Sequence, residues 1–179
     1  MPSPALSRLL TRLENFSEWT GRSIAWLTLG MVLLTFAIVI FRYVFSLGWI
    51  WLQESISYLH AFVFMLGAAY TFKHDGHVRV DIFYRRLNGR QRAMVDLLGN
   101  LLLVLPVCLF IFLNSWDSVV NSWLRLEGSE ETDGLNLVYI IKTCMLLMPV
   151  LVSLQGIANI LRNFLMLRGD LPFPEQADG

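Results

Sequence analysis

The sequence predicts an all-α integral membrane protein with four spanning helices, and two observations lead to this fold class. First, four long apolar runs fill most of the 179 residues and are separated by short charged loops. A run of nineteen residues covers about 28 Å as a helix, close to the thickness of the hydrocarbon core. Second, hydrophobic residues make up 55% of the chain and charged residues 16%, whereas charged residues make up about 25% of a soluble domain. A soluble protein of this length could not bury four such runs.

An amphipathic helix is predicted ahead of the first span, over residues 4–21. Ser3 followed by Pro4 is typical of a helix start, because serine caps free N–H groups and proline fits the first helical position. Apolar residues from Leu6 to Phe16 then recur at helical spacing, with arginine and glutamate residues on the opposite face. We expect this helix to lie at the cytoplasmic membrane interface. The alternative is a short helix that packs on the protein's own loops.

The four spanning helices are predicted at residues 23–46, 49–72, 94–116 and 137–164. The first of them is not a cleaved signal peptide, because its uncharged core is too long and no small-residue cleavage site follows it. Tryptophan residues lie near the ends of the spans, as expected where aromatic rings prefer the headgroup region. The remaining segments are a basic loop at 73–93, an acidic loop at 117–136 and a tail at 165–179.

The distribution of basic residues predicts the orientation of the chain. Eleven of the fourteen lysine and arginine residues fall in the N-terminal segment, the 73–93 loop and the C-terminal end. Arg42, Arg125 and Lys142 fall on the opposite side, together with the acidic residues of the 117–136 loop. Because cytoplasmic loops carry an excess of basic residues, both termini are predicted to be cytoplasmic. The net charge of zero gives no reason to expect nucleic acid as a partner.

Three charged residues near the outer ends of the spans are predicted to form a cluster. Glu54 lies about one turn inside the second span, and Arg42 and Lys142 lie at the outer ends of the first and fourth spans. Since a lone charge in the membrane is costly, we expect the three side chains to pair and to lock the helix positions. The functional alternative is that Glu54 binds a proton or a cation during transport.

The remaining polar residues form no recognisable catalytic or cofactor site. His60 is the only histidine deep in a span, whereas haem ligation by membrane histidines requires a second one at matching depth. The sequence contains no nucleophile motif, no glycine-rich phosphate loop and no convincing set of metal ligands. It therefore predicts neither an enzyme nor a bound cofactor, and it favours a scaffold for another membrane protein.

A family resemblance is carried mainly by three segments in and after the second span. These are residues 51–54 (Trp-Leu-Gln-Glu), 64–70 (Phe-Met-Leu-Gly-Ala-Ala-Tyr) and 76–81 (Gly-His-Val-Arg-Val-Asp). Together they resemble the small membrane subunit of tripartite ATP-independent periplasmic (TRAP) transporters. The fourth span, with Lys142, Gln155 and Gly156, is also similar to the last helix of that family. One difference is Gln53, which stands where the family often has an acidic residue.

The resemblance implies the role of a small scaffold subunit in the bacterial inner membrane. In such a transporter a periplasmic binding protein delivers an organic acid, and a large multi-span subunit imports it by symport, driven by a sodium gradient. The small subunit pairs with the large one, extends its static scaffold and helps to dock the binding protein. The implied partners are therefore the large subunit, the binding protein and membrane lipids.

The resemblance also singles out residues of this chain. The motif residues, which are candidate contacts with the large subunit, are Trp51, His77, Arg79, Asp81, Gln155 and Gly156. The candidate docking residues for the binding protein are Glu127, Glu130, Glu131 and Asp133. For the 76–81 segment the alternative is a locally satisfied turn at the cytoplasmic interface. For the acidic loop the alternative is a solvated surface without a partner.

Two other classes of protein remain open at this point. An autonomous four-span exporter would use Glu54 as its coupling carboxylate and would act as a homo-oligomer. A membrane anchor of a redox complex would need haem or quinone ligands, and the single deep histidine, His60, argues against it. An exporter moves solute by itself, whereas a scaffold subunit is inert alone.

Overall fold

The computed structural model describes residues 4–77, 84 and 86–173 of the chain. In this part the protein folds into four long helices joined by short segments, and it contains no β-strand. The helices are α1 (Pro4–Val44), α2 (Ile50–Lys73), α3 (Gly89–Arg125) and α4 (Val138–Arg168). All four are long and apolar enough to cross a membrane. The predicted all-α fold with four spanning helices is therefore confirmed.

Helix α4 is the central helix of the bundle, because it packs against each of the other three. Helix α1 also packs along α2, while α3 and α4 form a second closely packed pair. The buried residues of α4 are Cys144, Pro149, Gln155, Gly156, Ala158 and Leu165. Helices α1 and α3 instead expose many leucine, valine and phenylalanine side chains. The two chain ends of the described bundle lie together, and segments 45–49 and 126–137 lie at the opposite end.

Helix α1 is one uninterrupted helix of 41 residues, whereas the sequence predicts a separate amphipathic helix at 4–21. It continues through Gly21 because this glycine is a packing position and not a break. The ring of Tyr70 in α2 lies directly against the backbone at Gly21, in the space that a side chain would fill. The structure therefore joins the two predicted helices into one.

The N-terminal part of α1 packs along the C-terminal half of α4. Leu10 is buried in a cluster with Ala158 and Leu165 of α4. One turn further along α1, the carboxylate of Glu14 accepts hydrogen bonds from the guanidinium of Arg162, with Nε to Oε1 at 3.1 Å. This face thus packs on the protein itself, on a helix and not on loops. The apolar residues of this part that stay exposed are Leu9, Phe16 and Trp19. Their interfacial position remains a prediction.

A second group of polar contacts joins α1 to the end of α2. The Glu18 carboxylate accepts from Lys73 Nζ at 2.7 Å and from Arg22 Nε at 2.9 Å. It also lies 3.0 Å from the imidazole Nε2 of His74. Because Lys73 is the last residue of α2, these contacts hold the end of α2 against α1.

Helix α3 extends beyond the predicted span at both ends. Asn88 and Gln91 form a reciprocal cap, in which each side chain accepts from the other residue's backbone N–H, at 2.9 and 3.1 Å. The helix therefore begins at Gly89, five residues before the predicted span. It ends at Arg125, where Leu126 adopts a left-handed conformation with φ 46°.

A π-helical turn at Asn100–Val104 interrupts the regular α-helical pattern of α3. In this turn the N–H of Leu105 donates to the carbonyl of Asn100, five residues earlier. The turn lies directly before Pro106, which has no N–H to donate. Asn100, at the start of this wider helical turn, is buried.

Replacing Gly21 with alanine is expected to destabilise the α1–α2 pair. An added Cβ would lie 2.6 Å from the Cβ of Tyr70, so the two helices would have to move apart. Overpacking of this kind costs about 1–3 kcal/mol. The measurement is thermal unfolding of the detergent-purified protein. Gly30→Ala is the matched control, because a Cβ at Gly30 meets nothing within 4 Å. Equal stability of the two variants would contradict this packing.

Candidate functional site

The segment between α3 and α4, residues 126–137 (the 126–137 loop), folds back over the start of α2. The half-buried carboxylate of Glu54 accepts hydrogen bonds from the hydroxyl of Ser129 and, at 2.6 Å, from the N–H of Leu135. Tyr58, one turn further along α2, donates to the carbonyl of Leu135 at 3.1 Å. Side chains of α2 therefore hold Leu135 through both of its backbone polar groups.

The loop is tightly turned where it meets Glu54. The Ser129 hydroxyl accepts from the N–H of Glu131 at 3.1 Å, and the N–H of Gly134 donates to the carbonyl of Glu131 at 3.1 Å. Asp133 adopts a left-handed conformation with φ 64°. A Cβ on Gly134 would lie 2.8 Å from Oε2 of Glu54, so glycine permits the close approach of the loop to this carboxylate.

The beginning of the loop is fixed to α4. The ammonium of Lys142 donates to both carboxylate oxygens of Glu127, at 2.7 and 2.6 Å. These bonds hold the pKa of the Glu127 carboxyl below its usual range. Nearby, the indole Nε1 of Trp123 donates to Oγ1 of Thr143 at 2.9 Å, which joins the end of α3 to α4. The loop is thus anchored on α4 near its start and on α2 near its end.

The predicted cluster of Arg42, Glu54 and Lys142 is not formed. Glu54 and Lys142 each take partners from the 126–137 loop, and Arg42 is exposed and makes no ion pair within the described residues. The prediction was wrong in its partners, because depth in the membrane does not reveal a loop that folds back over the helix ends. The residues that sequence reasoning missed are Tyr58, Ser129 and Leu135. The sequence signal for the fold-back was the Asp-Gly pair at 133–134, which is typical of a tight turn.

The acidic residues of the loop divide into two groups. Glu127 is engaged by Lys142, whereas Glu130, Glu131 and Asp133 are exposed. Because the loop is anchored on two helices, it holds these three carboxylates on a fixed backbone. It therefore presents a small acidic surface at the end of the bundle opposite the described chain ends. Docking of a binding protein on this surface stays a prediction.

The motif residues around α2 lie at its two ends. Trp51 is exposed near the start of α2. His77 is exposed just after the end of α2, and its ring centroid lies 5.9 Å from that of Phe72. Arg79 and Asp81 lie outside the described residues. A contact of Trp51 and His77 with the large subunit stays a prediction.

The motif residues of α4 lie in the interior, beside the π-helical turn of α3. Gln155 is fully buried and donates from Nε2 to Oδ1 of Asn159 at 3.0 Å. A Cβ on Gly156 would lie 3.5 Å from Oδ1 of Asn100, so α3 and α4 approach each other closely at this point. Gln155 and Gly156 therefore take part in packing inside this chain, and their contact with the large subunit stays a prediction.

The fold and a comparison with known families define the class of protein. Four spanning helices and the matching family identify a multi-pass membrane subunit of a transporter. The family model is described as "Tripartite ATP-independent periplasmic transporters, DctQ component", and it matches residues 31–166. The chain therefore belongs to the DctQ family, the small permease subunits of TRAP transporters.

A curated relative agrees with this assignment. The chain is similar to the "C4-dicarboxylate TRAP transporter small permease protein DctQ" of Vibrio cholerae serotype O1 (strain ATCC 39315 / El Tor Inaba N16961). The two are 30% identical over 94 residues, which cover 52% of this chain and 40% of the relative. No solved structure matches the chain.

Glu54→Gln is expected to loosen the 126–137 loop. A neutral amide accepts hydrogen bonds more weakly than a carboxylate, and a hydrogen bond to a charged group contributes about 1.5–3 kcal/mol. Hydrogen exchange at the amide of Leu135, which donates to Glu54, should therefore rise about tenfold or more in the purified protein. Glu130→Gln is the control, since it removes an exposed carboxylate of the same loop. Unchanged exchange at Leu135 would show that Glu54 does not hold the loop.

The Glu127–Lys142 pair is expected to hold the loop at neutral pH and to fail in acid. A lowered pKa in the folded protein means that the pair adds stability above the usual carboxyl range. This contribution is lost as the pH falls through the lowered pKa. Lys142→Met should return the Glu127 pKa toward its usual range, as measured by NMR titration of ¹³C-labelled glutamate. Arg42→Met should leave that pKa unchanged. Titration of wild-type Glu127 in the usual range would refute the prediction.

Proposed function

We propose that this chain is the small scaffold subunit of a secondary active transporter in the bacterial inner membrane. The observation that carries the proposal is the family match over residues 31–166, which takes in α2, α3 and most of α4. The packing of three helices around α4 supports a static role, because a closely packed bundle provides a rigid surface for a moving subunit. In this role the chain stabilises a large transport subunit and does not itself move the solute.

The proposed solute is an organic acid that a periplasmic binding protein delivers and that the large subunit imports with sodium. The name of the Vibrio cholerae relative contains C4-dicarboxylate, which supports an organic acid as the substrate class. The family description names a tripartite periplasmic transporter, which supports two further protein components. Sodium coupling is part of the proposal because the resemblance to the TRAP family implies it.

In the proposed orientation both chain termini are cytoplasmic and the 126–137 loop faces the periplasm. The concentration of basic residues in the terminal segments and in the 73–93 loop supports this orientation. The loop then lies on the side from which a binding protein would approach. Its exposed carboxylates, Glu130, Glu131 and Asp133, are proposed to meet a basic surface of that protein, since opposite charges accelerate association.

We propose that Glu54 holds the 126–137 loop in place and is not the coupling carboxylate of an autonomous exporter. Both of its carboxylate oxygens accept hydrogen bonds from the 126–137 loop, one of them from the backbone N–H of Leu135. A coupling carboxylate must exchange its partners in every transport cycle, which would release the loop each time. A redox anchor would need a second histidine at the membrane depth of His60. The other two histidines, His74 and His77, follow the end of α2 and therefore lie at a different depth.

Copurification tests the scaffold proposal. The tagged chain, expressed from its native locus and extracted in mild detergent, is expected to bring down a large multi-span membrane protein in equal amount. In liposomes, uptake of an organic acid should require both membrane subunits, the binding protein and a sodium gradient. Liposomes that lack one component at a time are the controls. A homo-oligomer of this chain that moves solute alone would refute the proposal and would return Glu54 to the role of a coupling group.

A further inference from the structure

One face of α2 carries a row of three polar residues and one phenylalanine that points away from the bundle. Gln53, Ser57, His60 and Phe64 follow one another at intervals of four, three and four residues, so they lie on one side of the helix. All four are exposed, and Phe64 is 74% exposed. We call these four residues the outward row of α2. No described helix of this chain covers it.

The polar side chains of the outward row have no hydrogen-bond partner in the described part of the chain. Other hydroxyls of the same helix bond the carbonyl four residues earlier, as Ser55 does to Trp51 at 2.8 Å and Thr71 does to Gly67 at 3.2 Å. Ser57 makes no such bond, and the ring contact that His60 makes within the described residues is with Phe64, at 6.3 Å between the ring centroids. The outward row therefore has hydrogen-bonding capacity that the isolated subunit does not use.

At the depth of this row in the membrane, hydrogen-bonding groups without a partner are costly in lipid. His60 is the eleventh of the 24 residues of α2, which places it about 15 Å from the start of the helix. That position is near the middle of a hydrocarbon core of about 30 Å. Histidine side chains at such depth almost always face protein or a water-filled space. A surface with His60 and Ser57 at its centre is thus poorly suited to acyl chains.

The outward faces of α1 and α3 differ from that of α2. On α1, Thr35 donates to its own helix at the Met31 carbonyl, at 2.7 Å. On α3, Asn114 does the same at the Phe110 carbonyl, at 2.8 Å. Thr28 of α1 is exposed without such a bond, but its neighbours on that face are apolar. The most apolar stretch of α2 is also less apolar than that of each of the other three spanning helices. The exposed polar residues Asp117 and Asn121 of α3 lie within nine residues of its end at Arg125. Further from the helix ends, the faces of α1 and α3 suit lipid, whereas that of α2 suits a protein.

We propose that the outward row of α2 is the surface on which a spanning helix of the large transport subunit packs. This assignment rests on the proposed function. Ser57 and His60 hydrogen-bond to polar side chains of that helix, such as hydroxyl, amide or carboxylate groups, because buried polar side chains join helices in a membrane. Gly67 extends the same face by two turns beyond His60, and a Cβ there would meet nothing within 4 Å. The partner helix can therefore approach closely at that end.

Photo-crosslinking tests the assignment with matched positions. Phe64 on α2, Phe36 on α1 and Phe110 on α3 are 74%, 63% and 66% exposed. Each is replaced in turn by benzoyl-phenylalanine in the full chain, within the complex recovered with the large subunit. The expected result is an adduct between position 64 and the large subunit, with mainly lipid adducts at positions 36 and 110. At position 64, adducts with lipid or with a second copy of this chain would overturn the assignment. A dominant adduct with the large subunit at position 36 or 110 would overturn it as well.

A pair of variants gives an independent readout. His60→Leu should weaken recovery of the large subunit about three- to tenfold, the range expected for one interhelical hydrogen bond in a membrane. Thr35→Val should not change it, because Thr35 already bonds its own helix. Monodispersity of each variant in detergent shows that it folds. Equal recovery by His60→Leu and wild type would overturn the role of His60.

The outcomes separate the two proposals. If the wild-type chain recovers no large membrane subunit, the scaffold function and the surface assignment both fail. If it recovers that subunit but position 64 crosslinks only to lipid, the scaffold function stands and the assignment of the α2 face fails.

Discussion

Hydrocarbon offers no partner for a backbone N–H or carbonyl, and this constraint shapes every described part of the chain. The four helices satisfy their own backbone, and irregular segments are confined to the two ends of the bundle. Polar contacts between helices follow the same division. Glu14 and Glu18 join helices at the end that carries the described chain ends, and Glu54 joins α2 to the loop at the other. Between these ends the bundle depends on close packing around α4.

The same constraint explains which parts of the fold could be predicted from the sequence. A spanning helix must be long and apolar, so four runs of adequate length are enough to predict four spans. The helix ends follow other rules, and they were predicted less well. The cap formed by Asn88 and Gln91 lies outside the apolar run of α3 and depends on two polar side chains. Gly21 is equally compatible with a helix break and with close packing, and only the position of Tyr70 distinguishes the two.

The candidate site was predicted in part, for a related reason. Depth in the membrane identified Glu54 and Lys142 as charges that need partners, and both do have partners. The identity of those partners depends on contacts between residues far apart in the sequence, such as Glu54 with Leu135. Periodicity and composition carry no information about such contacts. Gln155 illustrates the same limit, because a motif residue can be needed for packing inside the subunit as well as for contact with another.

The length of α1 has a mechanical consequence for the whole subunit. A helix of 41 residues is about 62 Å long, roughly twice the thickness of the hydrocarbon core. Since the helix is unbroken, it fits the thickness of the bilayer only by tilting or by projecting from it. Its N-terminal half is tied to α4 through the contact of Glu14 with Arg162 and to α2 through the contact of Glu18 with Lys73. Any inclination of α1 is therefore shared by the helices to which it is tied.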